Sequence, residues 1–272
     1  MQRIILSLTM IPILSVPILN RGDLLLRLVR SIDYPVGILL IIDNGNDQGV
    51  AAVCQQLEQE SRYGSSSAIV NPAAVRVYRP GRNLGVAASW NWTMREYPTA
   101  DYWLFVGNDI KFMGGDLRKM DDGVRRHPEM VIRPGNWGHS FFAVTPRCIE
   151  QVGYFEESFW PAYLEDVDQM YRIKLAGDPW ADIGKASDEY AQCKAVHGEA
   201  PTFGSSTIYA DAKLLDKNSR THERNFALYC RKWGGPPGEE MFAYPYNEPG
   251  APVTHCPRDE EHIKGNEEIW DE

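Results

Sequence analysis

The stretch YLEDVDQMYRIKLAG, residues 163–177, crowds three carboxylates, Glu165, Asp166 and Asp168, into four positions at the start of a helical pattern. Val167, Met170, Tyr171 and Leu175 supply an apolar face, and Gly177 is a natural C-terminal stop. Repulsion among the three raises the proton affinity of at least one of them, while a helix N-terminus pulls the other way. A carboxylate balanced between those effects can act as a general base toward a hydroxyl. N-capping and a solvated helix face are the alternative use of the same residues.

Four further clusters could carry chemistry. In FVGNDIKF, Asp109 follows an apolar strand, where a carboxylate is a good hard-oxygen ligand for Mn²⁺ or Mg²⁺. Such a metal would bridge phosphate oxygens and neutralise leaving-group charge; a turn aspartate capping the next segment is the alternative. In IIDNGN, Asp43 could accept a hydrogen bond from an imide N–H of a pyrimidine base, and Asn44-Gly45 could simply be a turn. RPGRNLGVAASWNW places Arg79, Arg82 and Asn83 before a helix, where cations and backbone N–H groups suit phosphate. That stretch is neither a Walker loop nor G-x-G-x-x-G. His197, in AVHGEAPT, follows a short apolar run; it gains interest if it faces Asp109, since imidazole plus carboxylate can hold Mn²⁺.

These residues need a scaffold. IPILSVPI, VGILLII, AVRVYR and YWLFV read as buried strands. Between them, residues 22–32, 49–60 and 86–96 carry helical periodicity. Alternating strands and helices with unbroken apolar strands predict a mostly parallel sheet covered by helices on both faces. In such sheets ligands sit beyond the carboxyl ends of the strands. Three polar clusters fall there: NRGD after the first strand, DNG after the second, GND after the fourth. The second half is less regular. It predicts a surface helix in DLRKMDDGVRRH, a strand in WGHSFFAV, a short helix in PRCIEQVG and a long helix within 209–233. From Gly234 on, Pro and Gly recur, and an extended tail, part packed and part mobile, is expected.

Totals narrow the class. The chain has 272 residues, 43% of them hydrophobic and 24% charged, as expected of one large α/β domain. Of the net charge of -9, five negative charges fall in residues 258–272, and no basic stripe suggests bulk nucleic-acid or lipid binding. Five dispersed cysteines with no C-x-x-C pair point to a reducing compartment, hence the cytoplasm, and away from a disulfide framework or zinc site. The apolar run at residues 4–19 is too short to span a membrane, contains Pro12 and Pro17, lacks an evident small-residue cleavage site, and reads as a buried first strand.

Taken in order, PILNR, IIDNG, RNLGVAASWN, GND, GYFEESFWPAYLEDVDQMYRIKLAG and VHG resemble a family-2 glycosyltransferase of the GT-A fold, and most of all its rhamnosyltransferase-like branch. The resemblance covers roughly residues 11–235. It implies a Rossmann-like GT-A domain over 1–235, with a nucleotide-binding half to about 112 and an acceptor and catalytic half over 113–235. The acidic Pro/Gly-rich tail, 236–272, lies outside it. It implies inverting transfer from a nucleotide diphosphate sugar, with UDP or dTDP favoured by Asp43. Pro17, Asn20 and Arg21 would line the nucleotide pocket, Asp43 with Asn44 and Gly45 would read the base, and Arg82 and Asn83 would sit near the diphosphate or ribose. Asp109, beside Asn108, would bind Mn²⁺ or Mg²⁺ with His197 as second protein ligand. Asp166 would be the catalytic base, Glu165 would help place a sugar, and Trp137, His139 and Trp160 would serve the acceptor side.

The sequence departs from the family at Gly107-Asn108-Asp109, where the first acid of D-x-D is missing, so the nucleotide diphosphate must supply much of the metal coordination. Two rival readings share these features: a non-catalytic nucleotide- or glycan-binding module on a decayed transferase scaffold, and a sugar nucleotidyltransferase. The second expects a Gly-rich loop after the first strand, where PILNRGD has a single Gly. A glycan, protein, lipid-linked glycan or modified base could each be the acceptor, and the acidic tail could mediate self-association.

Overall fold

The computed structural model describes residues 9–63, 72–128, 132–135, 138–177, 196–197, 206–209 and 211–272. Its centre is a six-stranded sheet built from β1 (Ile11–Ile18), β2 (Val36–Asp43), β3 (Pro72–Tyr78), β4 (Trp103–Val106), β6 (Ile132–Gly135) and β7 (Gly138–Val144), in the order β3-β2-β1-β4-β7-β6. β3, β2, β1 and β4 are mutually parallel; β7 runs against both β4 and β6. The sheet is therefore mostly parallel, with one reversed strand.

Helices cover both faces, which is why the strands read as unbroken apolar runs. Leu39 and Ile41 of β2, with Leu104 and Val106 of β4, face α1 (Gly22–Arg30), α2 (Gln48–Tyr63) and α4 (Asp116–Arg126). Leu40, Ile42, Trp103 and Phe105 face the other way, toward α3 (Val86–Glu96), α5 (Pro146–Val152) and α6 (Glu165–Leu175). α4 carries the charge of a surface helix but buries Leu117, Met120 and Val124. Its buried Asp121 accepts from the hydroxyls of Tyr34 and Tyr102 and pairs with Arg125.

Two parts differ from the sequence expectation. The first is a separate two-stranded sheet formed by β5 (Ile110–Lys111) and β8 (Val196–His197). The second is the tail. Instead of staying extended it forms α9 (Glu260–Asp271), which packs on α8 (Ala212–Trp233) and buries Ile263 and Asn266. Its acids meet bases of α8: Arg220 pairs with Glu272 and Arg231 with Asp259. The charge concentrated at the end of the chain is thus partly spent on docking that end. A third cluster of Phe159, Leu164, Leu228, Tyr229 and Trp233 seats α8 against the segment that leads into α6.

Candidate active site

The first wall of the site is the carboxyl edge of β1, β2 and β4. The Asn44 N–H donates to the Ile18 carbonyl at 2.8 Å, carrying the β1–β2 ladder one step beyond the strands. Gly45 follows where the chain passes close to β1: a Cβ there would lie 2.0 Å from the Leu19 carbonyl oxygen, so only glycine fits. Asp43 is 8% exposed. Burial pushes its carboxyl above the usual carboxylate range, against the pull of the Gly45 N–H and of Arg79. A carboxylate half withdrawn from water at a strand end is suited to accept from a ligand N–H. Pro17 of β1 lies opposite Ile42, half-buried.

Several neighbours are committed to the protein itself. The Asn44 amide donates to Ser89 Oγ at 2.9 Å and its oxygen accepts from the Leu84 N–H at 3.2 Å, which braces β2 against the start of α3. Asn108 donates to the Asn20 carbonyl at 3.1 Å and accepts from Thr207 Oγ1 at 3.3 Å, Thr207 lying in α7 (Ser206–Tyr209). Asn20 donates to the Thr207 carbonyl, but its own Oδ1 is buried with no partner. Arg21, at φ 63°, forks onto Asp23 at 2.9 and 2.8 Å. Arg82 is exposed, while Asn83 accepts from the Gly85 N–H and, through its carbonyl, from Trp160 Nε1.

Asp109 sits in the turn after β4, 5% exposed, its carbonyl receiving Arg27 at 2.8 Å. Gly107 stands two residues before it. A Cβ there would stand 3.1 Å from Asp109 Oδ1, so any side chain would press on that carboxylate. β5 begins directly after Asp109, and its register sets the backbone of His197 opposite Ile110. The His197 side chain, like all of Trp137, lies outside the described residues. Among the described residues no group of three His, Cys, Asp or Glu could hold a metal. The donor set offered is one carboxylate with an imidazole in the neighbouring strand.

The second wall is the first turn of α6, which treats its three carboxylates differently. Asp168 is fully buried. It pairs with Arg172 at 2.8 Å and Lys232 at 2.7 Å and accepts from Trp233 Nε1 at 2.8 Å. Burial alone would raise its pKa, but the two cations outweigh it and hold the carboxyl below the usual range. Asp168 is a structural anchor between α6 and α8. Glu165 is 5% exposed, and among the described residues its Oε2 has no partner; burial first, then repulsion from Asp166 and Asp168, holds its carboxyl well above the usual range. Asp166 is the open one, with a side chain 36% exposed. Its Oδ1 accepts from the Val167 N–H at 2.8 Å and its Oδ2 lies 3.9 Å from His139 Nδ1.

His139 ties the two walls together. It stands at the start of β7, one residue before Ser140, whose carbonyl accepts from the Gly107 N–H at 2.8 Å. Its ring packs on Phe142 at 4.7 Å, and burial pushes its pKa below the ordinary histidine range, against the pull of Asp166. The ring is therefore neutral at neutral pH, and among the described residues its buried Nε2 has no partner. Tyr163 is a further link, since its hydroxyl feels the charges of both Glu165 and Asp109.

The turn itself is strained. Tyr163 and Leu164 hold φ of 73° and 76°, left-handed values for two consecutive side-chain-bearing residues. Asn225 of α8 holds the segment by donating to the carbonyls of Phe159 at 3.0 Å and Ala162 at 2.9 Å. Asn266 of α9 donates to the Trp160 carbonyl at 2.6 Å and to Asn225 Oδ1 at 3.0 Å. Trp160 is buried against Trp270. Sequence reasoning missed Asn225, Asn266, Lys232 and Tyr163. Only Tyr163 carried a local signal, its place two residues before Glu165.

No protein-family model matches the sequence, and no curated protein is similar to it. Among solved structures the chain is similar to S. aureus TarS 1-349, at TM-score 0.44 and 14% identity, over 71% of this chain and 58% of that one. It is also similar to S. aureus TarS 1-349 in complex with UDP-GlcNAc, at TM-score 0.45 and 13% identity, over 61% and 54%. The chain spans a little over half the length of each. Likeness this distant assigns no residue a role.

Proposed function

We propose that this chain is an inverting family-2 glycosyltransferase of the GT-A fold, in the rhamnosyltransferase-like branch. It moves a hexosyl or deoxyhexosyl group from a UDP- or dTDP-sugar to an acceptor hydroxyl. The observation that carries the reading is the β4–β7 register. It sets His139, which abuts Asp166, on the same sheet edge as Asp109. On this reading the strand-end carboxylate Asp109 serves the donor and the more open Asp166 serves the acceptor. Residues 1–112 form the nucleotide-binding half and 113–235 the acceptor half, with 236–272 docked behind the catalytic turn. We place the enzyme in the cytoplasm; among the described residues Cys54, Cys148, Cys230 and Cys256 are free, and no helix is long and apolar enough to cross a membrane.

Asp43 accepts the imide N–H of the base, and Asn20 Oδ1 accepts from a ribose hydroxyl. Asp109 and His197 would hold Mn²⁺ or Mg²⁺, which when bound neutralises charge on the leaving diphosphate. Asp166 removes the acceptor proton, directly or through one water. The resulting oxygen attacks the anomeric carbon opposite the diphosphate, and a single displacement inverts that centre. Glu165 helps place a sugar, and the His139 ring stands against Asp166, its Nδ1 3.9 Å from Oδ2.

Thermal unfolding with UDP, dTDP, GDP and CMP, each with and without Mn²⁺, tests the donor edge. A ligand at 100 times its Kd adds about 2.7 kcal/mol. UDP or dTDP should stabilise the chain with Mn²⁺ present, and Asp166→Asn should abolish transfer while keeping that stabilisation. No response to any nucleotide would remove Asp109 and His197 as a working metal site and bring the non-catalytic scaffold forward.

A further inference from the structure

A second cleft, of about 240 Å³, opens on the outer face of α3 at the β3 edge of the sheet. Tyr78 ends β3 on one side of it; Ala88, Trp92 and Arg95 of α3 line it at helical spacing; Glu157 and Trp160 come from the segment before α6. The C-terminal region closes it with Arg258 and Glu267. Asp43, Asp109 and Asp166 do not line it, whereas Arg82, Asn83 and Trp160 do, so it adjoins the site already described.

Size and chemistry select the ligand. Pockets that enclose drug-sized ligands span roughly 300–1,000 Å³. This cleft is smaller, too small for a nucleoside diphosphate sugar and of the right order for one sugar ring. Its floor is rigid and aromatic: the rings of Tyr78 and Trp92 stack at 3.9 Å and 3°. A pyranose lays an apolar C–H face on such a surface and keeps its hydroxyls at the rim. At the rim Glu157 is fully engaged. It accepts from Asn91 at 2.9 Å, Arg95 at 3.0 Å and Arg258 at 2.7 Å.

Two further charged side chains line the cleft, Arg82 exposed and Glu267 half-buried. Among the described residues neither Arg82 nor Glu267 has a hydrogen-bond or ion-pair partner. Arg82 can only donate and an ionised Glu267 can only accept. A phosphate would meet the carboxylate and a cation would meet the guanidinium, whereas a hydroxylated ring satisfies both at once. We infer that this cleft binds a single sugar unit of a glycan, anchoring the acceptor away from its reacting hydroxyl; the inference rests on the transferase reading.

The test is tryptophan-fluorescence titration of the full chain, reporting from Trp92 and Trp160, beside thermal unfolding with UDP and Mn²⁺. The probes are methyl glycosides of glucose, galactose, N-acetylglucosamine and glucuronic acid, with uridine as the stacking control. At least one glycoside should bind saturably. Glu267→Ala should weaken it tenfold or more and Glu267→Gln, which keeps an acceptor oxygen, by less; an unchanged melting temperature shows that each variant is folded. Three results overturn the inference: no glycoside binding while UDP still stabilises the chain, glycoside binding unchanged in Glu267→Ala, or uridine alone binding in a manner that depends on Glu267. Glycoside binding that depends on Glu267, with no response to any nucleotide, keeps the cleft and overturns the transferase reading instead.

Discussion

Asp43 and Asp109 stand where backbone ladders end, whereas Asp166 stands on a strained turn held by side chains from far along the chain. On the first wall, parallel register fixes position: Ile18 lies opposite Asp43, and Ser15 opposite Phe105 a few residues before Asp109. On the second, Asn225 reaches back 63 residues to the Ala162 carbonyl, Trp233 reaches 65 to Asp168, and Asn266 reaches 106 to Trp160. Backbone ladders are cooperative, and the loss of one side chain is shared among many bonds. A side-chain clamp concentrates its effect in a few groups that become buried and unpartnered when one is removed. The first wall should therefore tolerate substitutions in α8 and α9 that loosen the second.

The sharpest way to break that contrast is Asp168→Ala. Among the described residues it leaves Arg172 buried with only the Val152 and Tyr154 carbonyls and Lys232 with Glu156 as its one carboxylate, and removing one partner of a buried ion pair costs about 3–5 kcal/mol. Denaturant unfolding reads the loss directly. In protein that remains folded, transfer should fall further than stabilisation by UDP does; equal losses would mean that the two walls move as one body. A milder probe is Asn266→Ala, which frees the Trp160 carbonyl and the Arg224 guanidinium, now bonded to Asn266 at 2.6 and 2.7 Å. Unsatisfied buried groups cost about 1–3 kcal/mol. Here the expected signature is a lower kcat with an unchanged nucleotide response, and an unchanged kcat would show that α9 only decorates the turn.

The same contrast explains what the sequence revealed. The strands β1 to β4 and helices α1 to α3 announce themselves through local apolar periodicity, and the polar residues that close each strand lie at the sheet edge. Gly45 was legible as a turn, although its reason, the passing Leu19 backbone, was not. The second half depends on pairings between distant residues. Three carboxylates in one turn look interchangeable until Lys232 and Trp233 arrive beside Asp168, and nothing local distinguishes it from Asp166. β5 is only Ile110 and Lys111, too short to register by itself, and its partner strand lies more than eighty residues on. α9 was hidden by its charge: its buried face is little more than Ile263 and Asn266, too little apolar surface to register as a helix that packs.

Glu165 supplies the smallest and most specific comparison, because it differs from Asp166 in solvent access while sharing its turn. Burial raises its folded pKa well above that of the unfolded chain. Between those two values the native state holds a proton that the unfolded state has released. Stability from this group is therefore fully present below the unfolded pKa and is lost as pH rises toward the folded one. The slope is at most about 1.4 kcal/mol per pH unit. Glu165→Gln keeps the shape and cannot ionise, so its advantage over the parent should be negligible below the unfolded pKa and should grow as pH rises from there toward the folded one. Melting temperatures of the two proteins across that range measure it. A parallel pair of curves would mean that Glu165 is already ionised and that the first turn of α6 carries two open carboxylates rather than one.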